Sequence, residues 1–172
     1  MSKIILLSPK DNNFYNFRSE LILKLVELGH KIVLVCPYGK KVDYFTNRGC
    51  DFIDLTMDRR GKSIVNDLRL MYAYRKIFLQ EKPDIVLTYT SKPSIYGGFV
   101  CGLMGIPYIV NNAGLMETKG LFDKFMKFLY WIGWRKANCM MYQNSRERDV
   151  INNLLGNNVH YRDIPGSGVN LK

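Results

Sequence analysis

Hydrophobic positions recur along this chain in two alternating rhythms. Short continuous apolar runs, Ile4-Ile5-Leu6-Leu7 and Ile32-Val33-Leu34-Val35-Cys36, read as strands buried on both faces. Between them, residues 15–28 place Leu21, Ile22, Leu25, Val26 and Leu28 at helical spacing, and Gly29 closes the segment. The same alternation predicts further strands at 50–55, 85–89, 108–110, 139–142 and 159–164. It predicts helices at 41–47, 64–80, 94–104, 121–135 and 146–155. Apolar strands separated by helices imply an α/β, doubly wound, mostly parallel sheet of Rossmann-like form, because right-handed crossovers then cover both faces.

In such a sheet, ligands bind beyond the carboxyl ends of the strands. Asn12, Asn13 and Arg18 follow the first strand. A helix N-terminus favours an anion there, and Arg18 could add a bidentate phosphate contact. The alternative is that Asn13 or Asn16 caps the helix and Arg18 is solvated. Thr90 and Lys92 follow the fourth strand, and Lys92 stands just before a helix, either facing a phosphate or lying on the surface. Asn111, Asn112, Gly114 and Glu117 follow the fifth. The asparagines suit hydroxyl groups or loop backbone, and Gly114 suits a positive-φ turn. Glu117 and Asp11 could serve as a base, but neither has a histidine or carboxylate partner nearby in sequence, which favours capping or solvation. Asn144 and Ser145 follow the sixth strand. These amide- and hydroxyl-rich loops are equipped for sugars and phosphates. Gly97, Gly98 and Gly102 share one helix and suit close packing on the sheet better than ligand approach.

Missing motifs narrow the chemistry. The loop after the first strand, residues 8–13, contains no glycine, which disfavours a dinucleotide enzyme. Neither a P-loop nor a G-x-S-x-G elbow is present where its structural context would require it. A chain of 172 residues with 47% hydrophobic and 23% charged residues suits one folded domain and excludes a disordered one. No run approaches the length of a bilayer span, and the first apolar run is too short for a signal peptide. Cys36, Cys50, Cys101 and Cys139 form no C-x-x-C pair and lie far from His30 and His160, so reduced thiols in a cytoplasmic protein and no metal site are expected.

The net charge of +10 adds a partner to the picture, namely nucleic acid, anionic lipid or a phosphorylated ligand, unless the lysines are merely solvated. Dispersed basic residues without a helix-turn-helix, zinc-finger or RNP pattern argue against nucleic acid. Residues 121–136 carry Phe122, Phe125, Phe128, Trp131 and Trp134, framed by Lys124, Lys127, Arg135 and Lys136. The apolar arc is wider than one packing surface uses, so this helix is expected on an anionic membrane surface, the alternative being a core helix.

Several segments, taken in order, resemble family 4 glycosyltransferases of the GT-B fold. They are Asn13-Phe14-Tyr15-Asn16-Phe17-Arg18, Leu28-Gly29-His30-Lys31-Ile32, Lys82-Pro83-Asp84-Ile85-Val86-Leu87-Thr88-Tyr89-Thr90, Lys92-Pro93-Ser94-Ile95-Tyr96-Gly97, Gly105-Ile106-Pro107 and Gln143-Asn144-Ser145. The tail, Ile164-Pro165-Gly166-Ser167-Gly168-Val169-Asn170-Leu171, resembles the segment leading into a second domain. The branch most similar extends polyprenyl-diphosphate-linked saccharides for bacterial surface polysaccharides or glycoproteins. This chain departs from it in reading Gly114-Leu115-Met116 where that branch often has Gly-Leu-Gly.

The resemblance implies that residues 1–163 are the N-terminal, acceptor-binding domain and 164–172 the start of a linker to a C-terminal donor-binding domain. It implies a retaining transfer from a nucleotide-sugar substrate, usually UDP-linked, to a lipid-linked saccharide, with no cofactor and no essential metal. It also implies work at the inner face of the cytoplasmic membrane, and an isolated chain without turnover. Two alternatives remain: a stand-alone acceptor subunit that recruits a donor-binding partner, and a non-enzymatic membrane-binding module.

Overall fold

The computed structural model describes residues 1–57, 63–111, 120–156 and 159–164. In chain order these form β1 (Lys3–Leu7), α1 (Asp11–Glu27), β2 (Lys31–Cys36), α2 (Val42–Thr46), β3 (Asp51–Asp54), α3 (Ile64–Glu81) and β4 (Ile85–Tyr89). A π turn (Pro93–Gly97), α4 (Gly98–Met104), β5 (Tyr108–Asn111), α5 (Gly120–Trp134), β6 (Cys139–Tyr142), α6 (Ser145–Leu155) and β7 (Tyr161–Asp163) follow. The seven strands form one parallel sheet in the order β3-β2-β1-β4-β5-β6-β7.

The order reverses between β1 and β4. The chain winds outward from β1 to β3, jumps back to β4, then winds the other way to β7. Right-handed crossovers therefore put α1 and α2 on one face and α3 to α6 on the other. The core divides accordingly. Ile4, Leu6, Ile32 and Leu34 pack with Phe14 and Ile22 of α1. Ile5, Leu7, Val33 and Val35 point the opposite way, into a cluster with Tyr74, Phe78, Val100, Tyr130 and Trp134. The alternation along each strand is a consequence of the two-residue side-chain period, with Ile5 paired to Val33 on one side and Val86 on the other.

Three local features differ from the sequence reading. Helix α1 begins at Asp11, four residues before the predicted start, and neither Asn13 nor Asn16 caps it; the N-cap is Lys10, without a side-chain bond. The Asp11 carboxylate accepts from the backbone N–H of Asn12 at 2.8 Å and of Lys41 at 3.1 Å. It thereby ties the helix entrance to the loop before α2, so the polar run that looked like a loop is the helix's first turn. The helix predicted over 94–104 is a π turn followed by α4. Trp134, expected at the membrane surface, is fully buried, stacked 4.4 Å from Tyr130 between ring centroids. The physical reason is the close approach of α5 to α4. Gly98 faces the carbonyl oxygen of Gly133, and a Cβ at Gly133 would lie 2.7 Å from the Cα of Ile95. The glycines of α4 pack as expected, and α5 supplies the matching one. Among the described residues, no helix is long and apolar enough to cross a membrane.

Candidate functional site

Ser8, Thr88, Ser94 and Asn111 are the buried polar residues of the described structure. All four lie at the carboxyl edge of the central strands. Ser8 directly follows β1, Thr88 is the penultimate residue of β4, Asn111 ends β5, and Ser94 lies in the π turn after β4. Buried polar groups need partners. The Ser8 hydroxyl donates to the Lys10 carbonyl at 3.0 Å, Thr88 to that of Ile109 at 3.3 Å, and Ser94 to that of Ser91 at 2.9 Å. The Asn111 amide nitrogen lies 3.9 Å from the Met141 sulfur, and its side-chain oxygen has no hydrogen-bond partner among the described residues. The polar edge therefore coincides with the reversal of strand order, where open α/β sheets leave a crevice.

Backbone strain sits at the same place. Thr90, the first residue after β4, holds φ at 68°. A β-branched residue in that region costs roughly 1–2 kcal/mol, and such strain concentrates at functional sites. The Thr90 amide donates to the Asn111 carbonyl at 3.4 Å, and its own carbonyl accepts from the Ser94 amide at 3.1 Å. The π turn that follows is a rare element, also found preferentially at such sites.

Beyond Thr90, Lys92 reaches α3. Its ammonium lies 2.8 Å from Asp67 Oδ1, and the Tyr96 hydroxyl donates to Asp67 Oδ2 at 2.6 Å. Burial, then the hydrogen bond and charge of Asp67, push the Tyr96 phenol upward. Asp67 stands in the first turn of α3, whose N-cap Ser63 accepts from the Asn66 amide at 3.4 Å. Beside this trio opens a cavity of about 410 Å³, with Leu55, Met57, Asn66, Leu70 and Ala73 in its wall.

The remaining candidates are distributed along the edge. Asn12 and Asn13 occupy the first turn of α1, next to Ser8. Arg18 lies two turns further in, its guanidinium 5.1 Å from the Tyr89 ring centroid. Burial pushes the Tyr89 phenol up to about 12, against the opposing pull of the Arg18 charge and hydrogen bond. Asn144 caps α6, its Oδ1 accepting from the Glu147 amide at 2.8 Å, and Ser145 opens that helix in solvent. The fold thus gathers Thr90, Lys92 and Asn111 around the strand reversal with Asn12 and Asn13 alongside. Asn144 and Ser145 stand one strand further out. Asn112, Gly114 and Glu117, like the tail 165–172, lie outside the described residues.

Sequence reasoning missed Thr88, Asp67 and Tyr96. Thr88 carried a signal, a polar residue near the end of an apolar strand. Asp67 and Tyr96 carried none, because their meeting depends on how α3 is placed against the π turn. Among the described residues, no group of three histidine, cysteine, aspartate or glutamate side chains is placed to hold a metal.

Helix α5 leaves the edge beyond β5 and runs back along the sheet. Its buried side carries Met126, Tyr130 and Trp134. Its outward side exposes Leu121, Phe122, Phe125, Phe128 and Trp131. The Phe128 and Trp131 rings stack at 6.4 Å, and the Arg135 guanidinium covers Trp131 at 4.3 Å. Lys124 is exposed beside them, Lys127 pairs with Asp123 at 2.8 Å, and Lys136 donates to the Gly102 carbonyl at 3.0 Å.

The family model described as "Glycosyl transferase 4-like" matches residues 3–144. A curated Escherichia coli protein, UDP-Gal:alpha-D-GlcNAc-diphosphoundecaprenol alpha-1,3-galactosyltransferase, is 29% identical over 110 residues, which is 63% of this chain and 28% of that protein. The crystal structure of a glycosyltransferase from Rickettsia africae ESF-5 matches with a TM-score of 0.70 at 15% identity, over 95% of this chain and 42% of that one. A UDP-N-acetylglucosamine 2-epimerase structure matches with a TM-score of 0.66 at 17% identity, over 91% of this chain and 45% of that one. The chain therefore spans less than half the length of each of these relatives. The structural likenesses speak for the Rossmann-like fold, which a transferase and an epimerase share. The family match runs from the first strand through the sixth and includes the whole polar edge, and by it this chain belongs to the glycosyl transferase 4-like family.

Proposed function

We propose that this chain is the acceptor-binding half of a retaining glycosyltransferase of the GT-B type. The enzyme would move a sugar from a nucleotide-sugar, most simply a UDP-sugar, to a lipid-linked saccharide in the building of a surface polysaccharide or glycan. The E. coli relative, whose name specifies UDP-Gal and a diphosphoundecaprenol-linked saccharide, supports the substrate pair. In this reading residues 1–163 hold the acceptor, and a donor-binding domain follows in the same polypeptide after the linker at 164–172. The nucleotide-sugar is a substrate, and no cofactor or metal enters. The leaving diphosphate takes the acceptor proton, so this half supplies position rather than a base. Orienting the acceptor hydroxyl can contribute several kcal/mol. The chain alone would not turn over.

The observation that carries the lipid-linked acceptor is the outward face of α5. Its five exposed apolar side chains lie beside Lys124 and Arg135, and the helix starts at the same edge as the polar site. A cation near an anionic leaflet contributes about 1 kcal/mol, and each buried ring adds to it. This face supports attachment to a membrane surface, and the proposed surface is the inner face of the cytoplasmic membrane.

Vesicle flotation tests the location. Vesicles with anionic phosphatidylglycerol should retain the protein, and pure phosphatidylcholine vesicles should retain less. Phe125→Ser with Phe128→Ser should release it without lowering the melting temperature. Unchanged retention by that variant would overturn the membrane reading. A transfer assay with UDP-sugars and extracted lipid-linked saccharides tests the reaction on the polypeptide at its native length. That length should exceed 20.0 kDa on an immunoblot of the native cells. Turnover by the 172-residue chain alone would refute the half-enzyme reading.

A further inference from the structure

We infer that the cavity between the exit of β3 and the first turns of α3 is a subsite for one neutral pyranose ring of the acceptor. Asp67 is its positioning residue. The inference rests on the transferase reading and adds to it where a second sugar of the acceptor sits.

Three observations converge on this cavity. Its volume of about 410 Å³ falls within the range of small-ligand pockets. Its wall is divided, with Leu55, Met57, Leu70 and Ala73 apolar, and Asn66, Asp67 and Lys92 polar. A pyranose is divided in the same way, with C–H groups on its faces and hydroxyls around its rim. Finally, the carboxylate is already oriented. Tyr96 donates to one oxygen at 2.6 Å and Lys92 lies 2.8 Å from the other, and the Lys92 and Asp67 side chains are only 18% and 15% exposed.

A carboxylate offers about four acceptor positions. Lys92 sits on Oδ1, which is closed to solvent, and Tyr96 uses one position on Oδ2. The second position on Oδ2 is left for one donor, and a sugar hydroxyl is such a donor; charge-assisted bonds to a fixed carboxylate are the stronger kind. Lys92 offsets the charge of Asp67, so this pair suits a neutral ring. A uronic acid or a phosphate would meet the carboxylate directly but would also be drawn by Arg69, a further cation among the described residues of the wall, and the titration below separates the two.

The cavity is also joined to the transfer point. Lys92 stands two residues after the strained Thr90, so one short segment serves both the polar edge and the cavity wall. In this arrangement the reacting hydroxyl lies near Thr90 and Asn111 and a neighbouring ring of the same oligosaccharide lies in the cavity.

Two assays decide the matter. In an NMR titration of the chain with methyl β-glucoside, methyl β-galactoside and methyl β-N-acetylglucosaminide, at least one should shift the amides of Met57 and Ala73. Methyl glucuronide and inorganic phosphate should bind there more weakly. Asp67→Asn should weaken the glycoside by about tenfold, the loss of one charge-assisted bond. Ala73→Phe should abolish binding by filling the cavity, with the spectrum elsewhere unchanged. Undiminished binding in both variants, or phosphate binding more tightly than every glycoside, would overturn the subsite. In the native-length enzyme, Asp67→Asn should raise the acceptor KM about tenfold while leaving the donor KM near wild type. Normal transfer with an unchanged acceptor KM overturns the subsite and leaves the transferase standing. Absence of transfer by the wild type overturns the transferase reading itself.

Discussion

Gly133→Ala should destabilise the protein although it replaces a helical glycine, and the amount follows from the contact it blocks. Alanine is the better helix former by about 1 kcal/mol, which would favour the variant in an open helix. At Gly133 the new methyl would meet backbone, at 2.6 Å from the Ile95 oxygen, 2.7 Å from its Cα and 3.0 Å from its carbonyl carbon. Carbon atoms rest comfortably at about 3.5–4.0 Å, so α5 and the π turn must part by about 1 Å. Overpacking of this kind costs up to about 3 kcal/mol, and backbone cannot rotate away as a side chain can. The same shift stretches the buried hydrogen bond from the Tyr108 hydroxyl to the Gly133 carbonyl, now 2.8 Å. The net loss is about 2 kcal/mol, or about 4–8 °C in melting temperature for a chain of this size. Gly102→Ala is the control. Its methyl would meet only the Lys136 side chain, at 3.2 Å and beyond, which can move. That variant should melt at or slightly above the wild type. Urea and thermal denaturation of both variants read the difference. A Gly133→Ala protein as stable as Gly102→Ala would refute the claim that these two elements touch backbone to backbone.

Trp134→Ala should cost about 3–5 kcal/mol in urea unfolding, because it empties a fully buried ring stacked on Tyr130. It should leave the outward face of α5 intact, whereas Trp131→Ala should weaken vesicle retention with little effect on unfolding. Stability should also fall in alkali. Burial pushes the Cys36 thiol up to about 12 and Cys50 to about 11, both with help from nearby carboxylates, and burial pushes the Tyr142 phenol to about 12. Raised values in the folded state mean that the unfolded chain loses these protons first. The contribution is therefore complete below the ordinary thiol and phenol values of about 8.5 and 10, and is lost as pH climbs towards about 12. The urea midpoint should decline steadily over that window, and Cys36→Ala should flatten the decline. A midpoint that holds constant to the top of the window would contradict the burial of these groups.

The order of strands and helices was legible in the chain, because a strand covered on both faces must be apolar at every position and a surface helix must repeat near every third and fourth. Ile4-Ile5-Leu6-Leu7 can hardly be read otherwise. The right-handed crossover then leaves few topologies, and the choice of the carboxyl edge for the candidate site follows from topology alone. The position of Thr90, Lys92 and Asn111 on that edge was legible for that reason. The start of α1 was not, because Asp11 and Asn12 look like loop residues until the Lys41 amide, thirty positions away, comes to rest on the Asp11 carboxylate.

Trp131 and Trp134 were indistinguishable for a similar reason. Three residues apart on one helix, they point in neighbouring directions, and the boundary between core and surface passes between them. Where that boundary falls is set by Gly98 against Gly133, a contact between two helices that periodicity within either one does not encode. Asp67, Lys92 and Tyr96 show the same limit at the site. Local spacing places each on its own element, but the phase of α3 against the π turn depends on the packing of Leu70 and Tyr74 beneath it. Periodicity within a segment is a property of the local chain. Contact between segments is a property of how their buried faces fit, and here that fit made the cavity.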